Sequence, residues 1–290
     1  MIKKILSPLH YSFVFVKNNF LQKYKTIIYF FIKKTNRIIN IKINFKKIKL
    51  YSSGQIAELL YTSEFEKDIL SIYSKYLKKG DIIIDVGANI GLYSIIAEKF
   101  IGKNGKIYAF EPSEEVFLKF KKNIKLNNSK IINLNKKAVS KKNGKVALVV
   151  DKLLGDGYSY ISKNKLFLDT YSHVESITLD YFFKRNNLKK VNFIKIDVEG
   201  GELSVLEGAK NILLSNKKLV ILLENSNEGL KRFGNNQKDL YLFLKNMGFK
   251  IAAWDNNSKK WTNKISQTKK IGNIWAYKGN MKESIFDLKP

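Results

Sequence analysis

Three acidic residues each close a run of apolar residues, which is where a buried strand would end. Asp85 closes the run IIID, Glu111 closes YAFE, and Asp197 closes FIKID. In a sheet of parallel strands, ligands bind in the crevice outside the carboxyl ends of the strands. If the three runs form such a sheet, their carboxylates face one crevice. The sequence therefore predicts a ligand site at this edge.

The turn after the first of these runs differs from a phosphate-binding turn. Its sequence, DVGANIG, has the spacing G-x-x-x-G at Gly87 and Gly91 and lacks the middle glycine of the dinucleotide-binding pattern G-x-G-x-x-G. The glycines let the backbone approach a ligand closely, whereas the carboxylate of Asp85 would repel a pyrophosphate and suit a cation. Glu111 ends the next strand, where an acid accepts both hydroxyls of a ribose. A ribose with a positive charge and no phosphate fits S-adenosylmethionine better than NAD or ATP.

Strand-like and helix-like segments alternate from residue 81 onward. The apolar runs in DIIIDVGAN, GKIYAFEP, KIINLNKKAV, VNFIKIDVEG and KKLVILLEN predict strands, and GLYSIIAEKF and SEEVFLKFKKNIKLN predict helices between the first three. Such alternation is typical of an α/β fold with a parallel sheet covered on both faces. The last two strand-like runs, FKIAAWDN and GNIWAYKG, have no helix between them and are predicted to pair as an antiparallel hairpin.

Three segments together resemble a known enzyme family. DVGANIGLYSIIA, FEPSEEVFLKFKKNIKLNN and FIKIDVEGGELSVLEGA are similar to the FkbM-type S-adenosylmethionine-dependent methyltransferases, over roughly residues 80 to 225. The resemblance implies the Rossmann-like class I methyltransferase fold, with a seven-stranded, mostly parallel sheet and helices on both faces. It also implies transfer of a methyl group to a hydroxyl, often on a sugar or another small metabolite.

The resemblance implies a cofactor site along the first strand ends. DVGANIG would wrap the methionine part of S-adenosylmethionine, and Glu111 would hold the ribose. Many methyltransferases place an acid after the third strand to bind adenine, but this chain reads NLNKKAVS there. Adenine is then held by Asn135, by backbone groups or by apolar packing. The predicted cofactor-binding residues are Asp85, Gly87, Ala88, Asn89, Gly91, Glu111, Pro112 and Asn135.

A general base is needed to remove the proton of a hydroxyl acceptor. Asp197, at the strand end, is the first candidate and Glu199 the second. Glu202 is a third, although an acid that begins a helix is stabilising in any case. Lys195 lies two residues before Asp197, on the same side of the strand, and would pair with it or orient the acceptor. No metal site is predicted, because the strand-end acids have no diagnostic ligand spacing and the two histidines, His10 and His173, lie far apart.

The first 50 residues are predicted to form a basic, aromatic-rich extension of a methyltransferase domain spanning residues 51–290. They contain 12 Lys or Arg residues and no acid. Their apolar runs are too short to span a bilayer, and no signal peptide is expected. Two interpretations are open: peripheral contact with an anionic membrane, or ordinary elements that pack on the main domain. We expect a cytoplasmic protein, in keeping with the absence of cysteine.

The net charge of +28 leaves a nucleic-acid partner to consider. The motif needed to methylate a base amino group and the cysteine needed for carbon-5 cytosine chemistry are both absent, so only an RNA ribose 2′-O-methyltransferase remains as that alternative. A nucleotide-sugar or NAD-dependent enzyme is disfavoured by the glycine spacing. A non-catalytic module on the same fold is disfavoured by the complete set of strand-end acids. The predicted acceptor is a glycan or a small molecule, and the sequence does not indicate an oligomeric state.

Overall fold

The computed structural model describes residues 37–52, 66–150, 159–162, 171–263, 265, 272–279 and 286–290. The described strands are β1 (Arg37–Ile43), β2 (Lys46–Ser52), β3 (Ile82–Val86), β4 (Lys106–Phe110), β5 (Ile132–Asn135), β6 (Ala138–Val139), β7 (Gly144–Val150), β8 (Ser159–Ser162), β9 (Tyr171–Ile177), β10 (Phe193–Ile196), β11 (Val220–Glu224), β12 (Lys250–Asp255), β13 (Lys260–Thr262) and β14 (Asn273–Tyr277). The described helices are α1 (Lys67–Tyr76), α2 (Leu92–Ile101), α3 (Glu114–Leu126), α4 (Leu179–Arg185), α5 (Glu202–Glu207), α6 (Lys210–Ser215), α7 (Asn227–Arg232) and α8 (Gln237–Asn246).

The central sheet has the strand order β13-β12-β14-β11-β10-β3-β4-β5. Five neighbouring strands of this sheet run parallel, namely β11, β10, β3, β4 and β5. The strand β14 runs antiparallel to both β11 and β12. The α/β architecture and the antiparallel pairing of the last two predicted strands are therefore confirmed. The three-residue strand β13, which the sequence did not predict, adds an eighth strand to the seven that the resemblance implied.

Side chains of the central strands alternate between two apolar layers. Ile83 of β3 and Phe193 of β10 face the layer that includes α1, α2 and α3. Their neighbours Ile84 and Ile194 face the layer that includes helices α4 to α8. All four side chains are fully buried. Because both faces of β3 and β10 are covered, the acids that follow these strands are held on a rigid support.

A hairpin of β1 and β2 packs beside α2 and α3. Ile39, Ile48 and Leu50 are buried in the same apolar layer as these helices. This packing concerns residues 37–52 alone, so both interpretations of the N-terminal region stay predictions. Residues 1–36, which carry most of the predicted extension, lie outside the described part of the chain. The division of the chain at residue 50 stays a prediction.

A four-stranded sheet, in the order β6-β9-β7-β8, lies between the third and fourth parallel strands in sequence. Its strand β7 pairs antiparallel with β8 on one side and with β9 on the other. Among the helices in the described ranges, none combines the length and the hydropathy that a membrane-spanning helix needs.

Candidate active site

The turn DVGANIG connects β3 to α2 and is closely surrounded. Gly87 and Gly91 have φ values of 71° and 90°, which other residues rarely adopt. A Cβ atom on Gly87 would lie 1.8 Å from the carbonyl oxygen of Asp197, and one on Gly91 would lie 2.0 Å from the ring of Phe120. The two glycines therefore let the turn approach the end of β10 and the helix α3. The approach of a ligand to the turn backbone, which the sequence indicated as their role, stays a prediction.

Asp85 lies beneath this turn, with 1% of its surface exposed. Its Oδ2 atom accepts a hydrogen bond from Ser94 Oγ at 2.7 Å. Its Oδ1 atom lies 4.0 Å from Lys195 Nζ and accepts no hydrogen bond among the described residues. Burial raises the pKa of Asp85, and the charge of Lys195 opposes that shift. The predicted role of Asp85 toward a cationic ligand stays a prediction, because the positive charge that it meets here is Lys195.

Glu111 is anchored by backbone amides at the end of β4. Its carboxylate accepts hydrogen bonds from the N–H groups of Asn89, at 3.0 Å, and Ser113, at 2.9 Å. Burial raises its pKa to about 7, although both hydrogen bonds favour the charged form. A carboxylate has about four acceptor positions, so this anchoring leaves positions that could accept the hydroxyls of a ribose.

The other predicted cofactor residues surround Glu111. Ala88 donates its backbone N–H to a carbonyl of β4 at 2.9 Å. The half-buried Pro112 follows Glu111 directly, and the carbonyl of Asn135 accepts the backbone N–H of Glu111 at 3.1 Å. The side-chain amide of Asn135 donates to Asn133 Oδ1 at 2.9 Å and to the carbonyl of Ala109 at 3.3 Å, so both of its protons have acceptors within the protein. The contact of Asn135 with adenine stays a prediction.

Lys195 occupies the centre of the strand-end acids and is 6% exposed. Its Nζ atom lies 3.0 Å from Asp197 Oδ2, which confirms the predicted pairing, and 4.7 Å from the centre of the Tyr93 ring. Burial disfavours the ammonium, but the charges of Asp197, Asp85 and Glu66 outweigh it and raise the pKa of Lys195 above its ordinary value. Lys195 therefore carries a fixed positive charge between two strand ends.

Sequence reasoning missed Glu66, which precedes α1 and belongs to no motif. Its carboxylate accepts hydrogen bonds from Tyr93 Oη, at 2.5 Å, and Asn273 Nδ2, at 2.7 Å. Burial raises the pKa of Glu66, and repulsion from Asp197 adds to the shift. Through these two bonds Glu66 connects α2, the helix that follows the turn DVGANIG, to the strand β14. No local pattern could have identified it, since its partners are distant in sequence.

A second group of acids lies at the ends of β10 and β11. Asp197, Glu199 and Glu224 can each direct one carboxylate oxygen so that all three lie within 4.8 Å of one another. Burial and repulsion from Asp197 raise the pKa of Glu199 to about 7, and the same two causes raise that of Glu224 well above its ordinary value. Arg232 lies 3.7 Å from Glu199. Glu224 was not predicted, although it closes the apolar run VILLE in the way that the other strand-end acids do.

These three carboxylates could supply oxygen ligands to a divalent cation, which is the chemistry that Mg²⁺ or Ca²⁺ prefers. Acidic groups of this kind are also common without an ion. The expectation of no metal site stays a prediction.

Glu202 has a structural environment. It is 1% exposed, and its Oε1 atom accepts the backbone N–H groups of Val198 and Gly200, both at 3.1 Å. Burial raises its pKa to about 7. The carboxylate thus closes the turn between β10 and α5, which agrees with its alternative role as the first residue of a helix.

Comparison with known proteins gives a consistent result. A family model described as the methyltransferase FkbM domain matches residues 85–251. Over 150 residues the chain is 26% identical to the hexuronic acid methyltransferase AglP of Haloferax volcanii, a match that covers 52% of this chain and 59% of that protein. Over 144 residues it is 28% identical to Methyltransferase 1 of Beauveria bassiana, covering 43% of this chain and 57% of that protein. The chain thus matches less than two thirds of the length of either relative.

Two solved structures illustrate a more distant likeness. A putative methyltransferase from Streptococcus mutans, in complex with SAH, is 13% identical with a TM-score of 0.44, covering 73% of this chain and 96% of that one. An S-adenosylmethionine-dependent O-methyltransferase from Thermotoga maritima is 14% identical with a TM-score of 0.41, covering 84% of this chain and 77% of that one.

The family model spans more than half of the 290 residues and contains the strand-end acids. The chain therefore belongs to the FkbM methyltransferase family.

Proposed function

We propose that the protein transfers a methyl group from S-adenosylmethionine to a hydroxyl of a glycan, a lipid-linked or a small hydroxylated acceptor. Among these, we favour acceptors that carry a sugar. The observation that carries the proposal is the meeting of Glu199 with the Lys195–Asp197 pair at the strand end. This arrangement combines a carboxylate of raised pKa with a carboxylate whose orientation is fixed.

The cofactor supplies an electrophilic methyl group on a sulfonium centre. On the protein side, Glu111 is the proposed ligand of the ribose hydroxyls, since its two backbone hydrogen bonds hold it in place and leave acceptor positions free. The turn DVGANIG is the proposed support of the methionine part. Both assignments are supported by the donor and acceptor chemistry of the turn, in which a buried carboxylate is already oriented by amides.

For the acceptor, we assign proton removal to Glu199 and alignment of the hydroxyl to Asp197. A pKa of about 7 makes Glu199 a carboxylate that is largely ionised just above neutral pH and still basic enough to take a proton. Asp197 has one oxygen committed to Lys195, which leaves the other to accept a hydrogen bond from a neighbouring hydroxyl of the sugar and so to align the reacting one, whose proton goes to Glu199. Lys195 keeps this carboxylate oriented and balances its charge.

The class of acceptor is supported by one relative and by charge. By its name, AglP acts on a hexuronic acid, which is a sugar acid. The net charge of +28 favours the approach of an anionic glycan. Within the crevice, however, Asp197 and the ionised form of Glu199 would repel a carboxylate at the reacting position, so we propose that the methylated group is a neutral hydroxyl.

The test measures transfer of a labelled methyl group to three acceptors: a phenyl hexoside, the matching phenyl hexuronide and an RNA transcript. We expect label on the sugars, with the hexuronide preferred, and loss of that label in Asp197→Asn. Label that enters only RNA would contradict the proposal and favour ribose 2′-O-methylation. Binding of SAH without transfer to either sugar would also contradict it.

We further propose that the enzyme works in the cytoplasm at the periphery of an anionic membrane. The support is the tip of the β1–β2 hairpin, where Phe45 is 89% exposed at a φ of 67°. Lys42 lies directly opposite Lys47 across the strands, a like-charge pair that weakens a hairpin in water. Residues 37–52 contain no acid. An exposed aromatic ring among lysines suits the headgroup region of an anionic bilayer.

A further inference from the structure

Two asparagines of α3 bind the backbone of β2. Asn127 accepts the N–H of Lys49 at 3.0 Å and donates to its carbonyl at 2.6 Å. Asn123 accepts the N–H of Tyr51 at 2.5 Å and donates to its carbonyl at 3.1 Å. Four residues along a helix rise about 6 Å and two residues along a strand about 6.8 Å, so the two spacings match. The side-chain amides of α3 thus act toward β2 as a neighbouring strand would.

Asn123 differs from Asn127 in its third hydrogen bond. The second proton of Asn123 Nδ2 goes to the carbonyl of Ile90, at 2.9 Å, in the turn DVGANIG. Asn127 instead donates back within its own helix, to the carbonyl of Asn123 at 2.9 Å. Asn123 is fully buried, and its amide has both donors and its acceptor in use. It is therefore the point at which the hairpin and the turn share one side chain.

The contact with Ile90 continues toward the proposed ribose ligand. The N–H of Ile90 donates to Asn89 Oδ1 at 2.7 Å, and the N–H of Asn89 donates to Glu111 Oε2 at 3.0 Å. Asn89 has a φ of 51°, a left-handed conformation that the surrounding bonds must maintain. A continuous series of hydrogen bonds thus runs from Tyr51 through Asn123, Ile90 and Asn89 to Glu111.

We infer that Asn123 is a positioning residue of the cofactor site, which couples the β1–β2 hairpin to the turn DVGANIG. The inference rests on the proposed roles of this turn and of Glu111 in binding S-adenosylmethionine. Removal of the Asn123 amide leaves the carbonyl of Ile90 without this donor, so the turn populates other conformations. Only the fraction of molecules with the correct turn binds the cofactor, and the apparent affinity falls by that fraction.

The experiment compares Asn123→Ala with Asn127→Ala in the full chain, because each variant loses two hydrogen bonds to β2 and only the first loses the bond to Ile90. Calorimetry measures binding of SAH, and hydrogen exchange of the protein without ligand measures protection of amides 87–91. We expect both variants to lower the melting temperature. Only Asn123→Ala should weaken SAH binding, by about fivefold to tenfold, which is the loss of about one hydrogen bond, and only it should speed exchange in the turn.

Equal effects of the two variants, or an Asn123→Ala protein with wild-type affinity and exchange, would overturn the inference. If Asn123→Ala does not fold, Asn123→Ser is compared with Asn127→Ser in the same way. Failure of the wild-type protein to bind SAH would instead overturn the proposed cofactor site. The exchange data then still decide whether Asn123 holds the turn.

Discussion

Three glutamates of the site share a pKa of about 7 but differ in what surrounds them. Glu111 and Glu202 each accept two backbone N–H groups and are at most 3% exposed. Glu199 is only half-buried, and the ionic contact on its carboxylate is Arg232 at 3.7 Å. Glu111 and Glu202 are thus held as fixed acceptors. The greater exposure of Glu199 supports its proposed role as the base, which the other two glutamates do not share.

The pH dependence of catalysis tests that role. A general base works in its ionised form, so kcat/KM for methyl transfer should rise as pH increases through about 7, where Glu199 loses its proton. Glu199→Gln should lower kcat by about 100-fold or more and abolish this rise. The exposed Glu228→Gln serves as the control and should behave as wild type. A profile that keeps its rise in Glu199→Gln would assign the base to another group.

The close contact at Gly87 can be tested by a single methyl group. Gly80 and Gly87 both have positive φ values, but a Cβ atom on Gly80 meets nothing within 4 Å. Gly80→Ala should therefore cost only the left-handed conformation, about 1–2 kcal/mol of unfolding free energy. Gly87→Ala must also displace the carbonyl of Asp197, and we expect a larger loss of stability and SAH binding weakened by roughly tenfold or more. Similar melting temperatures and affinities for the two variants would contradict the contact.

Among the elements, the turn between β10 and α5 carries a stability effect that depends on pH. The pKa of Glu202 is 4.5 in its ordinary state and about 7 in the fold. Between these values the unfolded chain releases the proton that the folded chain keeps, so the free energy of unfolding falls as pH rises from about 4.5 to about 7 and then levels off. Glu111 and Glu199 act in the same direction.

We expect Glu202→Gln to reduce this fall, because Gln keeps an acceptor for Val198 and Gly200 and has no proton to release. Urea unfolding between pH 4.5 and 8 measures the effect, with Glu228→Gln as the control. A slope that is unchanged in Glu202→Gln would mean that this carboxyl is not shifted in the fold.

How far the sequence predicts an element depends on where the partners of that element lie. The parallel strands were predictable, because their apolar runs and terminal acids are local patterns. The hairpin β1–β2 was overlooked, although lysines alternate with the buried Ile48 and Leu50, which is the period of a half-buried strand. The strand β13 could not be predicted, because only three of its residues pair and its pairing with β12 decides the outcome.

The distance in sequence between partners also decides which residues of the site could be predicted. Asp85, Glu111 and Asp197 could be brought together from sequence, since parallel strands align their carboxyl ends. Glu66 could not, because its partners Tyr93 and Asn273 lie 27 and 207 residues away. Glu224 was available to the same strand-end argument and was overlooked.

At the scale of the whole molecule, charge alone does not identify a partner, because lysines cover much of the surface. A matched pair of variants resolves this. Lys42→Glu/Lys47→Glu changes the hairpin, whereas Lys217→Glu/Lys218→Glu removes the same charge at exposed residues before β11. Each lysine near an anionic membrane contributes about 1 kcal/mol, so the hairpin variant should bind phosphatidylserine vesicles far more weakly than the control variant.

Phe45→Ser should weaken vesicle binding as well, without a change in charge. Sedimentation with vesicles of stated phosphatidylserine content measures all of these proteins. If the two double-lysine variants lose the same amount of vesicle binding, net charge alone would explain the loss and the hairpin would have no special role. If the hairpin variant instead loses binding to RNA and keeps its binding to vesicles, the hairpin would be assigned to a nucleic acid and not to a membrane.

The bond between Glu66 and Asn273 has a consequence for how the protein is made. These residues lie 207 positions apart, and they meet beneath the crevice next to Tyr93. During synthesis, the segment that ends at Glu66 leaves the ribosome long before β14 exists. Contacts of such separation form late and slow the folding of a chain. We therefore expect the crevice to be complete only after β14 has been made, so that a chain interrupted before β14 lacks a complete site with which to sequester the cofactor.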